Sequence, residues 1–129
     1  MQTFSRIELL KEKKRIGILF SDGRGIHLGS VSILWIVVNP NDFSPAKVLV
    51  SVSSKKLKRA VDRNLIKRRI REAYRKNKSR LNDFLEQQNV GCVFAILYNS
   101  TMMDSYQAIE EKIIRLIGRF QTEYEKGIK

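Results

Sequence analysis

The sequence predicts an α+β fold, a two-layer sandwich in which helices cover one sheet. The main observation is the order of the secondary-structure elements that the sequence predicts: a helix, strands, a long helix, a strand and a helix. No repeat and no linker separates them. The chain has 129 residues, of which 43% are hydrophobic, enough for one core but not for two. Its apolar run at residues 33–38 has the length of a strand and falls far short of the roughly 20 residues of a membrane span. We therefore expect a single domain over residues 1–129.

The N-terminal part carries helical signals. Ser5 and Glu8 have the spacing of a capping box, in which each side chain satisfies an open backbone donor at a helix start. An apolar rhythm, ended by glycines at positions 23 and 25, then predicts a helix over residues 12–21.

Segments rich in β-branched and aromatic residues predict four strands. Their expected ranges are 24–28 (a short edge strand), 30–39, 46–53 and 91–98. Alternation places Trp35 on one face of its strand and Leu34 on the other. The pattern leaves open which face of the sheet meets solvent.

The last element is an amphipathic helix. Asp104 is a candidate N-cap with Gln107 three residues later, and apolar side chains follow at helical spacing as far as Phe120.

The net charge of +12 is concentrated in one segment. Residues 53–80 contain thirteen Lys and Arg against two acidic residues, a net charge of +11, whereas the rest of the chain holds twelve basic and eleven acidic residues. A localised excess of this size indicates an anionic partner, either a nucleic acid or an anionic membrane surface.

The same segment predicts a long helix, because Ser53 or Ser54 can cap it and no Gly or Pro interrupts it before about Arg80. At 3.6 residues per turn, six polar side chains share one stripe: Asn64, Lys67, Arg68, Arg71, Arg75 and Lys78. Four apolar side chains lie on the opposite side: Ile66, Ile70, Ala73 and Tyr74. Arg63 projects toward the apolar side, so we expect it at an edge or in a specific contact.

The stripe indicates that the partner supplies phosphates. Like charges at this spacing repel by about 0.2–0.5 kcal/mol per pair, so an anion must offset the repulsion. Arginine forks bind phosphate oxygens bidentately, and each neutralised phosphate releases counterions. Membrane binding would require the apolar side to enter lipid, although so small a domain needs it as core. We therefore expect a nucleic acid and no membrane as the partner.

Few residues suit catalysis within the chain. His27 and Cys92 are its only histidine and cysteine, which argues against a Cys/His metal cluster, a cysteine–histidine nucleophile and an intrachain disulfide. We expect His27 at the surface or an edge and Cys92 in the core. The N-terminus has no apolar signal region, so we expect a cytoplasmic protein.

The basic segment also resembles a known family. Residues 60–75 read Ala-Val-Asp-Arg-Asn-Leu-Ile-Lys-Arg-Arg-Ile-Arg-Glu-Ala-Tyr-Arg and follow the pair Lys55-Lys56. This resembles the signature of the bacterial ribonuclease P protein component, in which a Lys-Lys pair precedes Ala-Val-x-Arg-Asn-x-x-Lys-Arg-x-x-Arg-Glu-Ala-aromatic-Arg. Apolar residues and a glycine at family-like spacing extend the resemblance over about residues 10–120.

The resemblance implies an αβββαβα order with a four-stranded mixed sheet and a left-handed crossover through the basic helix. It also implies an endoribonuclease holoenzyme in which the RNA subunit, served by Mg²⁺, removes the 5′ leader of precursor tRNA. The protein would hold no cofactor, metal or small-molecule substrate and would contribute no catalytic residue. It would bind the catalytic RNA through the basic helix and the 5′ leader in a cleft between the sheet and the N-terminal helix.

Site residues follow from the same resemblance, position by position. The implied RNA contacts are Lys55, Lys56, Arg63, Asn64, Lys67, Arg68, Arg71 and Arg75. The implied leader contacts are Ile16, Phe20 and Trp35. Leu65 replaces the second Arg of the family's Arg-Asn-Arg core, and Arg69 is a candidate to offset that loss. Ile16 stands where an aromatic residue often sits, which removes a stacking surface.

Two other classes stay open. A ribosomal or other structured-RNA-binding protein without a nuclease role would share the charge, but it should carry basic tails or loops as well. A DNA-binding protein would place its recognition helix after a short helix and a turn, whereas strands flank the basic helix here.

Overall fold

The computed structural model describes residues 24–38 and 46–126, which form four strands and two helices. The strands are β1 (Arg24–Leu28), β2 (Val31–Val38), β3 (Ala46–Val52) and β4 (Gly91–Tyr98). The helices are α1 (Ala60–Gln88), between β3 and β4, and α2 (Tyr106–Glu125), after β4. The helical signals at residues 5–8 and 12–21 lie outside the described residues.

The sheet is mixed, as predicted, with the strand order β1-β2-β4-β3. β1 and β2 form an antiparallel hairpin, whose turn contains Gly29 in the left-handed region at φ 64°. β2 pairs antiparallel with β4, and β3 pairs parallel with β4. Because α1 connects these two parallel strands, the basic helix is the crossover of the fold. Its left-handed sense stays a prediction, as does the extent of the domain over all 129 residues.

The main core lies between the helices and one face of the sheet. Trp35 of β2 and Phe94 of β4 both meet the ring of Phe120 edge-on, with centroids 5.1 and 5.0 Å apart. Ile66 and Ile70 bring the inner side of α1 into this core, and both are completely buried. The apolar side predicted for the basic helix is therefore its packing surface.

The other face of the sheet is apolar as well. Val93 and Ala95 of β4 are buried there, and four partly buried side chains pack around them: Leu34, Ile36, Leu49 and Leu97. β4 is central in the sheet and buried on both faces, which explains why its sequence is an almost continuous apolar run.

Three helix termini differ from the sequence prediction. α1 begins at Ala60 rather than after Ser53, because residues 53–57 form a turn that buries Leu57 in the core. It continues past Arg80 to Gln88 and ends where Asn89 adopts the left-handed conformation, at φ 57°. In α2 the N-cap is Ser105, whose Oγ accepts a hydrogen bond from the N–H of Ala108, and not Asp104. In the described part of the chain, neither helix has the length and apolarity of a membrane span.

Candidate nucleic-acid interface

The six polar residues predicted to share a stripe do lie together on the outer side of α1, away from the buried isoleucines. Four of them are exposed, Asn64, Arg68, Arg71 and Arg75, and two are half-buried, Lys67 and Lys78. We call these six residues the cation stripe. Among residues 24–38 and 46–126, Lys67, Arg68, Arg71 and Lys78 form no ion pair, so their charges are available to an anion.

Arg75 differs from the other cations of the stripe because Glu72 binds it. Its Nε and Nη2 donate to the two carboxylate oxygens of Glu72 at 2.9 and 2.7 Å. This two-point hydrogen bond from Arg75 lowers the pKa of Glu72. Glu72 therefore partly neutralises one end of the stripe.

Arg63 makes the specific contact that its position predicted. Its Nη1 donates to the carbonyl oxygens of Leu57 and Lys58, both at 2.9 Å. These bonds hold the segment of residues 53–59, which contains the turn, against the first turn of α1. Lys55 and Lys56 are exposed in that turn, where Ser53 Oγ accepts a hydrogen bond from the N–H of Lys56 at 3.3 Å.

The arrangement is a rigid helix that is packed on one side and carries cations along the other. The rigidity comes from the inner side chains, which fix the helix to the sheet. A row of cations on a fixed helix suits a partner with regularly spaced phosphates.

Comparison with known proteins assigns this arrangement to a family. The family model described as Ribonuclease P matches residues 4–121. The chain belongs to the ribonuclease P protein family. A ribonuclease P protein component from Porphyromonas gingivalis is 30% identical over 118 residues, which cover 88% of this chain and 86% of that protein. Another, from Chlorobaculum tepidum, is 38% identical over 77 residues, 57% of this chain and 50% of that protein.

Solved ribonuclease P proteins also share the fold. The protein from Thermotoga maritima matches with a TM-score of 0.68 at 17% identity, over 92% of this chain and 97% of its own. The protein from Staphylococcus aureus matches with a TM-score of 0.63 at 18% identity, over 82% and 88%. At these identities the likeness supports the α+β fold with its mixed sheet.

Trp35, which the resemblance assigns to the leader contacts, has almost no accessible surface in the structure. Its side chain is 2% exposed and faces the helices, where it packs edge-on against Phe120. A nucleotide could reach the ring only if α2 left the sheet. Trp35 is therefore a core residue in this member of the family, which corrects the sequence-based expectation. The two other expected leader contacts, Ile16 and Phe20, lie outside the described residues.

Arg69 does not belong to the cation stripe either. Its Nη1 donates to the backbone oxygen of Asp104 at 2.6 Å, and the side chain is half-buried on the flank of α1 that faces the segment before α2. The guanidinium is thus turned away from the outer side of the helix, and it does not replace the arginine that Leu65 displaces in the family signature.

Cys92 and His27, the two residues considered for catalysis by the protein, lie in the core and at the sheet edge. Cys92 is buried in β4, and burial raises the pKa of its thiol to about 12, so it remains protonated at neutral pH. His27 is exposed on β1, at the edge of the sheet, as predicted. Within residues 24–38 and 46–126, no three His, Cys, Asp or Glu side chains are grouped as metal ligands.

Proposed function

We propose that this chain binds the catalytic RNA of ribonuclease P through the cation stripe and helps that RNA to remove the 5′ leader of precursor tRNA. The observation that carries the proposal is the stripe itself, a set of cations on one fixed helix in a member of this family. The proposed RNA contacts are Lys55, Lys56, Arg63, Asn64, Lys67, Arg68, Arg71 and Arg75.

Two physical features support phosphate binding by the stripe. Arg68 and Arg71 present planar forks that can each donate two parallel hydrogen bonds to one phosphate. Buried side chains on the inner side hold α1 in place, so the cations lose little rigid-body freedom when they bind. Arg63 also contributes indirectly, because it holds the segment that carries Lys55 and Lys56.

The charges of the two subunits indicate which of them binds the metal ions. A divalent cation is repelled by the stripe, whereas phosphate oxygens attract it, so we assign the Mg²⁺ ions and the cleavage step to the RNA subunit. The protein supplies counter-charge and position. We also propose that the assembled enzyme acts in the cytoplasm.

The RNA interface can be tested by the salt dependence of binding to the ribonuclease P RNA. Removing one phosphate contact should make the slope of log affinity against log salt less negative by about 0.9. We expect this change for Arg68→Met and for Arg71→Met. Arg115→Met is the matched control, because Arg115 is also exposed but lies on α2.

Two outcomes would contradict the proposed interface. One is an equal change of slope for Arg68→Met and for Arg115→Met, which would indicate binding by net charge alone. The other is equal affinity of the wild-type protein for an unrelated structured RNA of the same length. That result would favour a general RNA-binding protein.

Leader binding is a separate part of the proposal and rests on Phe20 and Ile16, at positions that resemble those of the family. Stacking of a base on Phe20 would contribute about 1–3 kcal/mol. Phe20→Ala should therefore weaken binding of precursor tRNA by the reconstituted holoenzyme and leave binding of mature tRNA, which has no leader, almost unchanged. Equal losses for both RNAs, with a lower melting temperature of the protein, would make Phe20 a structural residue.

A further inference from the structure

Asp104, in the segment between β4 and α2, is bound by four different parts of the fold. Its backbone oxygen accepts the hydrogen bond from Arg69 of α1 at 2.6 Å, and its backbone N–H donates to the Tyr98 hydroxyl at the end of β4 at 3.0 Å. Its carboxylate accepts from Lys112 of α2 at 2.8 Å and from the hydroxyl of Ser30 in the β1–β2 turn. Asp104 is thus a fixed point in the fold.

The partners of Asp104 are themselves held. Lys112 Nζ also donates to Ser30 Oγ at 2.9 Å, and the backbone oxygen of Ser30 accepts from the N–H of Asn99. Tyr98 is buried and its hydroxyl donates to the carbonyl oxygen of Met102. Burial would raise the pKa of the Asp104 carboxyl, but the hydrogen bonds from Lys112 and Ser30 outweigh burial and lower it, so the carboxylate stays charged.

Arg69 connects α1 to this fixed point from within the basic segment. It follows Arg68 directly, but one residue turns an α-helix by about 100°, so the two guanidinium groups leave the helix in different directions. Arg68 is exposed on the outer side, whereas Arg69 is half-buried and reaches Asp104. Two neighbouring arginines of one motif therefore have different surroundings.

We infer that Arg69 is a positioning residue for RNA binding, which sets the rotation of α1 about its axis and thereby the direction of Arg68 and Arg71. This inference rests on the proposed function of the cation stripe. Apolar packing by Ile66 and Ile70 holds the helix on the sheet but is not directional, whereas a hydrogen bond to a fixed carbonyl oxygen is directional.

The geometry gives the size of the effect. At a radius of about 6 Å, which is that of a helix with its side chains, a rotation of about 20° moves a side-chain tip by about 2 Å. A shift of about 2 Å breaks a hydrogen bond whose ideal donor–acceptor distance is about 2.9 Å. About two turns further along α1, Lys76 lies over the ring of Tyr106 and Asn77 donates to Glu110 at 3.2 Å, so that part of the helix is held by other contacts.

The test compares Arg69→Met and Arg68→Met, which remove the same charge from adjacent positions, in binding to the ribonuclease P RNA at several salt concentrations. The temperature is kept well below the melting temperature of every variant. For Arg68→Met we expect the slope of log affinity against log salt to become less negative by about 0.9. For Arg69→Met we expect about three- to tenfold weaker binding and a lower melting temperature. The slope should not change, because Arg68 and Arg71 lose hydrogen-bond geometry but stay close enough to the phosphates to release counterions. Arg69→Lys, which keeps a donor, should recover part of both losses.

Two results would overturn the inference. A slope reduced as much by Arg69→Met as by Arg68→Met would make Arg69 a phosphate contact. Unchanged affinity with a lower melting temperature would make it a residue that stabilises the fold only. Failure of the proposed function is distinguishable, because in that case Arg68→Met itself would keep the slope of the wild-type protein, and the positioning role would fall with it.

Discussion

Removing the carboxylate that binds Arg75 should strengthen RNA binding. Glu72 occupies the guanidinium of Arg75 with two hydrogen bonds, and its negative charge lies beside the cation stripe. Glu72→Gln keeps the size of the side chain but removes the charge, so Arg75 becomes available to a phosphate. An exposed ion pair contributes little to stability, and we therefore expect the fold to be unaffected.

The magnitude follows from the number of cations in the stripe. Because Glu72 offsets the charge of Arg75, the stripe contributes through its four other cations (Lys67, Arg68, Arg71 and Lys78), and counterion release gives a contribution of about −3.6 to the slope of log affinity against log salt. When Glu72 is neutral, Arg75 is added and the contribution of the stripe becomes about −4.5. If the two proteins bind equally at 1 M salt, this difference corresponds to about eightfold tighter binding by Glu72→Gln at 0.1 M salt.

The assay is equilibrium binding of the purified protein to the ribonuclease P RNA between about 0.1 and 0.5 M salt, a range in which slopes of this size are measurable. Glu111→Gln is the control, because it changes the net charge equally but lies exposed on α2. The reasoning is refuted if both variants gain the same affinity, since net charge alone would then explain the gain. It is also refuted if Glu72→Gln binds more weakly, because Glu72 would then help to orient Arg75.

Three further predictions concern the fold that supports the interface. Ile70→Ala should lower the free energy of unfolding by about 2–5 kcal/mol, because Ile70 is completely buried. Ile114→Ala, at a site 38% exposed, should lower the free energy of unfolding far less, and similar shifts of the two denaturation midpoints would contradict the packing described for α1. Asp104→Asn should destabilise the protein at pH 7, because the carboxyl has a lowered pKa in the folded state and its charge therefore stabilises the fold. The difference from wild type in the urea midpoint should shrink as the pH falls below about 4, and a difference independent of pH would exclude the charge as its cause. Asn89→Gly should preserve or slightly raise the melting temperature and Asn89→Ala should lower it, because φ at this residue is 57°, a conformation that Gly adopts easily and Ala does not. Equal melting temperatures for both variants would show that the left-handed residue contributes nothing to the end of α1.

The strands were predictable because their residues report local preferences. β1 and β4 have the predicted limits, and the two others differ by one residue at one or both ends. The charge pattern also separated the two sides of α1 correctly, since a helical period depends only on spacing along the chain.

The helix termini were less predictable because competing interactions decide them. Ser53 does accept a backbone hydrogen bond, but the bond belongs to a turn, since Leu57 has to enter the core before the helix begins. At the other end, the basic run stops at Arg80, whereas Leu81 and Leu85 continue the buried side of α1. Apolar periodicity was thus the better guide to the end of the helix.

The individual roles of site residues required the three-dimensional arrangement. Trp35 and Leu34 have similar patterns in the sequence, and only the packing of the helices decides which of the two faces the core. Arg69 looks like its neighbours in the basic segment, and its partner Asp104 is 35 residues away. Contacts over such distances leave no local signal.

The parallel pairing of β3 with β4 has a consequence for the order in which the chain can fold during its synthesis. In the described part of the chain, β4 is the strand with which β3 pairs, and it is made only after all 29 residues of α1. Until residue 98 has left the ribosome, the hairpin of β1 and β2 is the only part of this sheet that can assemble, and an isolated hairpin is marginally stable. The most basic segment of the protein therefore emerges before the sheet that will hold it is complete, so a nascent chain stopped at residue 90 should be captured by RNA or by chaperones rather than fold.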